Sequence, residues 1–255
     1  MHPIRGLPID PEGKVSNVIS ISDLRVHCAT CSMRELCLPI GLDSDAMREL
    51  DALITIRRHF KKGKSVFNCG DRFAALYAIR SGSCKVTVPA EDGREQVSGY
   101  HLMGDIMGFD GIDSGRHGGQ AIALEDTEVC EIPFDHLEEL SQRLPPLQHN
   151  LHRLLSREVT RDENLLLVLG SMRADERVVA FLLNLSNRYR QRGYSSTEFV
   201  LRMTRGEIGS YLGLKLETVS RVFSHLQEQG TIKVHKKAVQ LVDLPALRAM
   251  MNERE

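Results

Sequence analysis

Three cysteines lie close together near the start of the chain, in the run HCATCSMRELCLP. Cys28, Cys31 and Cys37 follow the spacing C-x2-C-x5-C, so their thiols can turn toward one metal centre. An all-cysteine site, for zinc or for an iron–sulfur cluster, requires a fourth thiolate. The spacing leaves three candidates for that fourth ligand: Cys69, Cys84 and Cys130.

The spacing leaves the metal open as well. A CxxC pair with a third cysteine nearby is more typical of structural zinc than of a cluster. No second CxxC pair follows, however, and the neighbouring side chains are small or apolar, which suits a centre shielded from solvent: Ala29, Ser32, Met33, Leu36 and Leu38. Disulfides are not expected, because the N-terminus lacks the order of a secretory signal and the cytoplasm keeps thiols reduced.

A second group of chemically specific residues lies in the run MTRGEIGSYLGLKLETVSRVFSHLQEQG, residues 203–230. Glu217, Ser220 and Arg221 recur at helical spacing. A carboxylate accepts from cytosine, a guanidinium binds guanine as a fork, and a hydroxyl serves several partners, so the set predicts a base-reading surface. The simpler alternative is a solvent-exposed Glu/Arg pair, which stabilises a helix by roughly a few tenths of a kcal/mol.

The elements that must position these side chains can be read from the same run. Thr204 and Glu207 form a capping box that predicts a helix from Arg205, and Gly213 permits the tight turn of a helix-turn-helix. A second helix is predicted from about Leu216. Its core-facing residues recur at steps of three and four: Leu216, Val219, Phe223 and Leu226.

Charge is distributed unevenly along the chain. Residues 1–170 carry 19 Lys and Arg against 25 Asp and Glu, whereas residues 171–255 carry 14 against 9. The C-terminal segment is therefore the candidate for contact with a polyanion. Its run TIKVHKKAVQLV predicts a hairpin with Lys236 and Lys237 near the turn, where a wing would reach a phosphate; a plain surface hairpin is the alternative.

A long helix is predicted from Pro145 and Pro146, which are tolerated in a first helical turn. One narrow seam runs along it at steps of three and four: Leu151, Leu155, Val159, Asp162, Leu166 and Leu169. The seam predicts a dimer interface, and a helix packed on its own domain is the alternative. Asp162 would face its own copy in a symmetric pair, so we expect a weak dimer unless something else stabilises it.

Between Phe60 and Pro133 the chain shows short β-rich runs separated by glycine turns, which favours an antiparallel roll or barrel over βαβ units. Together with the helices this gives an α+β protein. No run of 18 or more apolar residues occurs, so neither a membrane span nor a membrane partner is expected and the protein is expected to be cytoplasmic.

Taken together, the motifs resemble the FNR (fumarate and nitrate reduction) branch of the CRP/FNR transcription regulators. The cysteine array, the stretches LYAIRSG, GYHLMGDIMGFDGI and VCEIPF, and the helix-turn-helix carry the resemblance. It implies an N-terminal antiparallel β-roll sensory domain of the cyclic nucleotide-binding type, a long dimerisation helix and a C-terminal winged helix-turn-helix. The corresponding boundaries are 1–40 for an arm with the cysteines, 41–143 for the roll, 144–170 for the helix and 171–255 for the DNA-binding domain.

The resemblance also implies a cofactor and a switch. The VCEIPF match assigns the fourth cluster ligand to Cys130 and leaves Cys69 and Cys84 as buried strand residues. A [4Fe–4S] cluster would favour the DNA-binding dimer, and oxygen would convert it to [2Fe–2S] and then to a cluster-free monomer. In that form the charge of Asp162 would oppose association.

The E-x-x-S-R match implies that Glu217, Ser220 and Arg221 read the two TTGAT-like half-sites of a palindrome. The chain departs from the family at Lys215, where relatives usually carry Ser or Thr; a cap of about 1 kcal/mol is lost, and the lysine could instead contact phosphate. The loop Glu91–Arg94 would lie near a surface that meets RNA polymerase.

Three alternatives differ in mechanism. A cyclic-nucleotide-responsive regulator would carry an Arg-Ser pair for the phosphate, but the stretch MGFDGIDSGRHGGQ contains Asp110 and Asp113 and no such pair, so no cyclic nucleotide is expected. A redox or zinc enzyme would need an open coordination position or an acid–base group, and no nucleophile elbow, Walker loop or GxGxxG occurs, so the protein is not expected to be an enzyme. The third alternative is a zinc-stabilised DNA-binding regulator.

Overall fold

The computed structural model describes residues 28–54, 56–90 and 93–251. The rest of the predicted arm, up to residue 27, lies outside the described residues. So do Glu91 and Asp92, half of the loop expected near RNA polymerase.

The described residues form helices and strands in an α+β arrangement. The helices are α1 (Ser44–Leu53), α2 (Phe134–Arg143), α3 (Pro145–Ser171), α4 (Ala174–Gln191), α5 (Arg205–Leu212), α6 (Leu216–Glu228) and α7 (Leu244–Ala249). The strands are β1 (Ile56–Phe60), β2 (Ser65–Phe67), β3 (Ala75–Ser81), β4 (Ser83–Pro89), β5 (Glu95–Leu102), β6 (Ile106–Met107), β7 (Gln120–Ala123), β8 (Thr127–Pro133), β9 (Glu198–Val200), β10 (Ile232–His235) and β11 (Ala238–Leu241).

Strands β1 to β8 form two antiparallel sheets with the strand orders β1-β8-β3-β6 and β2-β7-β4-β5. This confirms the predicted β-roll. Gly82 makes the tight connection from β3 to β4 at a φ of +86°, and an added Cβ would lie 2.5 Å from Thr127 Oγ1. Glycine is therefore required there for both conformation and space.

Helix α3 follows α2 almost directly and confirms the predicted start at Pro145. Its first half packs on the β-roll, with Leu147 and Leu154 buried. Its second half runs past the roll, and Val159 and Leu166 are 57% and 69% exposed. Leu151 departs from the predicted seam: it lies in the core of its own chain at 8% exposure, because the roll still covers the helix at this level.

The C-terminal segment is a winged helix-turn-helix. Helices α4 to α7 enclose a core that includes Val178, Leu182 and Leu185, and the three-stranded antiparallel sheet has the order β10-β11-β9. The hairpin of β10 and β11 confirms the predicted wing fold. Because α4 begins three residues after α3 ends, the winged helix-turn-helix is joined to the long helix by a very short connection.

Candidate metal centre and nucleic-acid interface

The three N-terminal cysteines lie on a loop closed by turn-type hydrogen bonds. Cys28 opens a short 3-10 turn, and the amide of Cys31 donates to the Cys28 carbonyl at 3.1 Å. The amide of Cys37 donates to the carbonyl of Arg34 at 3.4 Å. The amide of Cys28 also donates to Asp51 in α1 at 2.5 Å, which anchors the start of the loop.

Cys130 lies in the middle of β8, between Arg57 of β1 and Ala78 of β3. It packs against the same core as Cys37. Burial raises the pKa of the Cys37 thiol to about 12, and the nearby Cys130 and Cys31 act in the same direction. Burial also raises the pKa of Cys130, with a further contribution from Cys31. The loop thiols and Cys130 are therefore electrostatic neighbours.

The other two cysteines lie elsewhere. Cys84 is fully buried in β4 as predicted, and burial together with Glu125 raises its pKa to about 12. Cys69 was predicted to be a buried strand residue, and that prediction is wrong. It is exposed in the turn after β2, and its Sγ donates to the Gly118 carbonyl at 3.3 Å. The chain reverses there because Gly70 adopts a φ of +84°.

The four thiols are adjacent but not gathered around a point. Among the described residues, no three Cys, His, Asp or Glu side chains lie close enough together to hold a metal ion. The donor type does fit an iron–sulfur cluster, since four thiolates are its usual ligands. Thiols with raised pKa values are protonated when no metal is bound, so binding would release protons. Cys31 and Cys37 lie beyond the short 3-10 segment Cys28–Thr30, in a part of the loop that consists of turns, so a rearrangement that gathers the sulfurs would break no helix or strand there.

Side chains of the long helix α3 donate hydrogen bonds to this loop on both sides of Cys37. The buried side-chain amide of Asn150 donates to the carbonyl of Leu38 at 2.9 Å and to that of Ile40 at 2.7 Å. Arg157 donates to the carbonyl of Leu36 at 3.2 Å. A displacement of the cysteine loop would therefore either break these hydrogen bonds or move the predicted dimerisation helix. Sequence reasoning missed this link, because Asn150 carries no local signal for contacts more than a hundred residues away.

The helix-turn-helix is formed as predicted. Thr204 Oγ1 accepts from the amide of Glu207 at 3.2 Å, and the Glu207 carboxylate accepts from the amide of Thr204 at 2.6 Å. Gly213 ends α5 in the left-handed region at a φ of +63°. Gly209 was not singled out from the sequence, although an added Cβ would lie 2.5 Å from the carbonyl oxygen of Leu214. The signal available was a glycine inside a helix, which usually marks a close approach.

Helix α6 presents the predicted reading residues. Glu217 and Arg221 are exposed and Ser220 is half-buried. Three of the four predicted core positions are buried, but Leu216 is 50% exposed, because the first turn of α6 projects beyond the underlying core. Within the described part of the chain, Lys215 makes no side-chain cap to α6, in agreement with the expected loss.

The wing and the seam supply two further surfaces. Lys236 and Lys237 are exposed at the hairpin turn, and Lys236 adopts a φ of +56°. On α3, Asp162 is exposed beside Val159 and Leu166 on one helix face. Two other members of the predicted seam are half-buried: Leu155 and Leu169.

The stretch MGFDGIDSGRHGGQ, in which no Arg-Ser pair for a cyclic phosphate occurs, is held together around the exposed carboxylate of Asp110. Asp110 accepts from the amides of Gly118 and Gly119 at 2.8 and 3.1 Å. It also lies 3.3 Å from Nδ1 of His117, which is stacked on Phe67. These amides, which a phosphate oxygen could otherwise engage, are already paired with a negative charge.

A β-roll joined by a long helix to a winged helix-turn-helix with an exposed second helix defines a DNA-binding transcription regulator. Residues 57–143 match the model of the cyclic nucleotide-binding domain, and residues 176–250 match that of the Crp-like helix-turn-helix domain. The chain belongs to the CRP/FNR family of transcription regulators, in its fumarate and nitrate reduction branch.

Individual relatives support this placement. The transcriptional regulatory protein btr of Bordetella pertussis is 43% identical over 235 residues, covering 92% of this chain and 97% of the relative. The fumarate and nitrate reduction regulatory protein of Escherichia coli is 43% identical over 237 residues, covering 93% and 95%. The solved structure of FixK2 from Bradyrhizobium japonicum matches with a TM-score of 0.70 at 29% identity, covering 76% of this chain and 96% of FixK2.

Among the described residues, no helix combines the length and apolar character required to cross a membrane.

Replacing Gly209 with Ala is expected to destabilise the protein by about 1–3 kcal/mol, because the new methyl group overlaps the Leu214 carbonyl. Urea unfolding measures the change. Gly206→Ala in the same helix is the matched control: its Cβ meets Leu216 Cδ1 at 3.6 Å, so the substitution should stabilise α5 by about 0.5–1 kcal/mol. Equal shifts in the two variants would contradict the close approach.

Proposed function

We propose that this protein is an oxygen-responsive transcription regulator that binds a [4Fe–4S] cluster through Cys28, Cys31, Cys37 and Cys130. With the cluster it dimerises and binds palindromic DNA, and without it the protein is monomeric. The observation that carries the proposal is the pair of hydrogen bonds from Asn150 of α3 to the backbone of the cysteine loop. The loop that carries the thiols is therefore hydrogen-bonded directly to the proposed dimerisation helix.

Cys130 is proposed as the fourth ligand on the resemblance to the family, and its surroundings support that choice. Its thiol lies within electrostatic reach of Cys28, Cys31 and Cys37, whereas Cys69 is exposed in a turn. When bound, the cluster would supply reactivity toward oxygen, and its conversion to [2Fe–2S] would alter what the four thiolates hold. The protein's own part is to keep the loop attached to α3, so that a change at the thiols moves the helix.

The dimer is proposed to form along the exposed second half of α3. Val159 and Leu166 offer apolar surface there, while the carboxylate of Asp162 faces the same side. Two such carboxylates meeting at a symmetric interface repel, so association has to be favoured by the cluster-bound loop. Without the cluster, the charge of Asp162 therefore favours the monomer.

DNA recognition is proposed to use α6 in the major groove and the wing on the backbone. Glu217, Ser220 and Arg221 would read TTGAT-like half-sites, and Lys236 and Lys237 would contact phosphate. RNA polymerase is the proposed protein partner, in keeping with relatives named as transcription regulators. No cyclic nucleotide is required in this scheme, since Asp110 already pairs with the amides of Gly118 and Gly119.

Protein purified without oxygen is expected to be brown and to contain four iron and four sulfide per chain, as a [4Fe–4S] cluster requires. Cys130→Ser should lose nearly all of both, because three thiolates leave one iron without its ligand. Cys69→Ser is the control and should keep the wild-type content. A colourless protein with one zinc per chain would establish the structural-zinc alternative instead.

Asp162→Ala should make the protein dimeric in air, because the repulsion across the seam is removed. We expect the dimer dissociation constant to tighten at least about tenfold, which corresponds to about 1.4 kcal/mol. Sedimentation velocity measures it. Glu139→Ala removes an exposed negative charge from α2, away from the seam, and should leave the monomer unchanged. A monomeric Asp162→Ala protein would refute the seam.

Arg221→Ala should abolish the preference for the palindrome and leave weak, salt-sensitive binding, since a bidentate guanine contact contributes about 1–3 kcal/mol of discrimination. Gel shifts of the cluster-bound protein on palindromic and random DNA measure the ratio. Lys237→Ala should instead weaken both complexes equally and reduce the salt dependence. An equal loss on both DNAs for Arg221→Ala would argue against base reading.

A further inference from the structure

A cavity of about 740 Å³ lies where α3, α4 and α5 meet. Leu36 of the cysteine loop forms part of one wall, and Tyr211 and Leu212 of α5 form part of another. Its size is within the usual range for sites that bind small molecules. None of the functions described above uses this space.

The wall of the cavity carries an excess of positive charge. The side chain of Asp105 is only 10% exposed, and it accepts from Arg188 at 2.5 Å, from Arg192 at 2.7 Å and from Arg161 at 3.4 Å. Burial alone would raise the pKa of Asp105, but the three guanidinium groups outweigh it and hold the pKa below its usual range. Asp105 is thus fully charged, yet it balances only one of the three arginines.

Two other charged residues adjust this balance. Glu158 accepts from Arg161 at 2.9 Å, but burial raises the pKa of Glu158 to about 7, so it is only partly charged near neutral pH. Arg157 lines the same cavity and adds a fourth guanidinium at its exposed edge, whereas the three arginines around Asp105 are largely buried. Buried cations without a matching anion are costly in a protein, which makes a negatively charged occupant favourable.

The lining also offers unused hydrogen-bond donors. The Nε of Arg188 is buried and has no hydrogen-bond partner among the described residues. Asn184 and Gln191 add neutral polar side chains to the lining, as does Asn164, whose side-chain amide already donates to the Thr160 carbonyl at 2.7 Å. Guanidinium forks match the oxygens of phosphate groups, and the neutral amides can serve the polar edge of a base. Phe181 provides an aromatic wall.

We propose that this cavity binds a small phosphate-bearing anion of nucleotide size. The arginines would hold the phosphates, and the amide and aromatic side chains would contact the remainder of the ligand. The site is separate from the β-roll segment around Asp110, and it needs no cluster. It also lies apart from the seam, because Arg157 and Arg161 project from a different face of α3 than Val159 and Asp162.

Isothermal titration calorimetry with pyrophosphate and ADP as probes tests the proposal. The full-length chain is purified in air and measured in a phosphate-free buffer of low salt. Both probes are expected to bind saturably with one site per chain, and ADP at least as tightly as pyrophosphate. Arg157→Gln and Arg188→Gln should each weaken binding at least tenfold. Arg190 lies on α4, like Arg188, but outside the lining, so the affinity of Arg190→Gln should stay within twofold of the wild type.

Because Arg188 also pairs with Asp105, thermal melting checks that Arg188→Gln is folded. If it is not folded, Arg157→Gln still tests the proposal, because Arg157 is exposed. The absence of saturable heat at millimolar probe would overturn the proposal. Binding of pyrophosphate but not ADP would refute the nucleotide-sized ligand. Equal weakening in Arg190→Gln, or a loss in Arg221→Ala, would place the anion on the protein surface or on the DNA-reading face instead.

Discussion

The side-chain amide of Asn150 is the contact on which the coupling in this molecule depends. Both of its N–H groups are directed at backbone carbonyls, those of Leu38 and Ile40, in a buried setting. Losing a buried partner leaves a polar group unsatisfied at a cost of about 1–3 kcal/mol. The loop that carries Cys37 therefore cannot shift relative to α3 without either breaking these bonds or carrying the helix with it.

The two halves of the chain are in contact beyond the helix that joins them. The amide of Val97 in β5 donates to the hydroxyl of Ser210 in α5 at 2.9 Å. Tyr100 packs edge-on against Tyr211, with ring centroids 5.1 Å apart. The helix-turn-helix is thus seated on the β-roll of its own chain while α6 still faces outward. Any rearrangement of the DNA-binding segment has to break polar and aromatic contacts together.

Much of the fold could be predicted from the sequence because its signals are local. The capping box at Thr204, the turn at Gly213 and the wing hairpin each depend on residues a few positions apart. Hydrophobic spacing likewise identified α3, but it could not tell which part of the seam the β-roll covers, so Leu151 was misassigned. The prediction for Cys69 came from the family resemblance, and it is wrong because the chain reverses at Gly70 and leaves Cys69 exposed in a turn.

The candidate sites divide in the same way. The three loop cysteines and the reading residues of α6 stand out by type and spacing. The Asp105 cluster does not, because its arginines follow it by 56 to 87 positions and look like an ordinary solvated helix face in sequence. Helix α2 also went unpredicted, since its pattern merges with that of the strand before it and the helix after it.

Glu207 performs two tasks with the two oxygens of one carboxylate. Oε2 caps α5 through the amide of Thr204 at 2.6 Å, and Oε1 accepts from Lys85 of the β-roll at 2.9 Å. A glutamine at this position would keep a carbonyl oxygen for the cap while giving up the ionic attraction to the lysine. Glutamate and glutamine codons differ by a single base. One mutation can therefore weaken the contact between the helix-turn-helix and the β-roll while the N-terminal cap of α5 is kept. How firmly these two parts are held therefore depends on a single charge, which one substitution can remove.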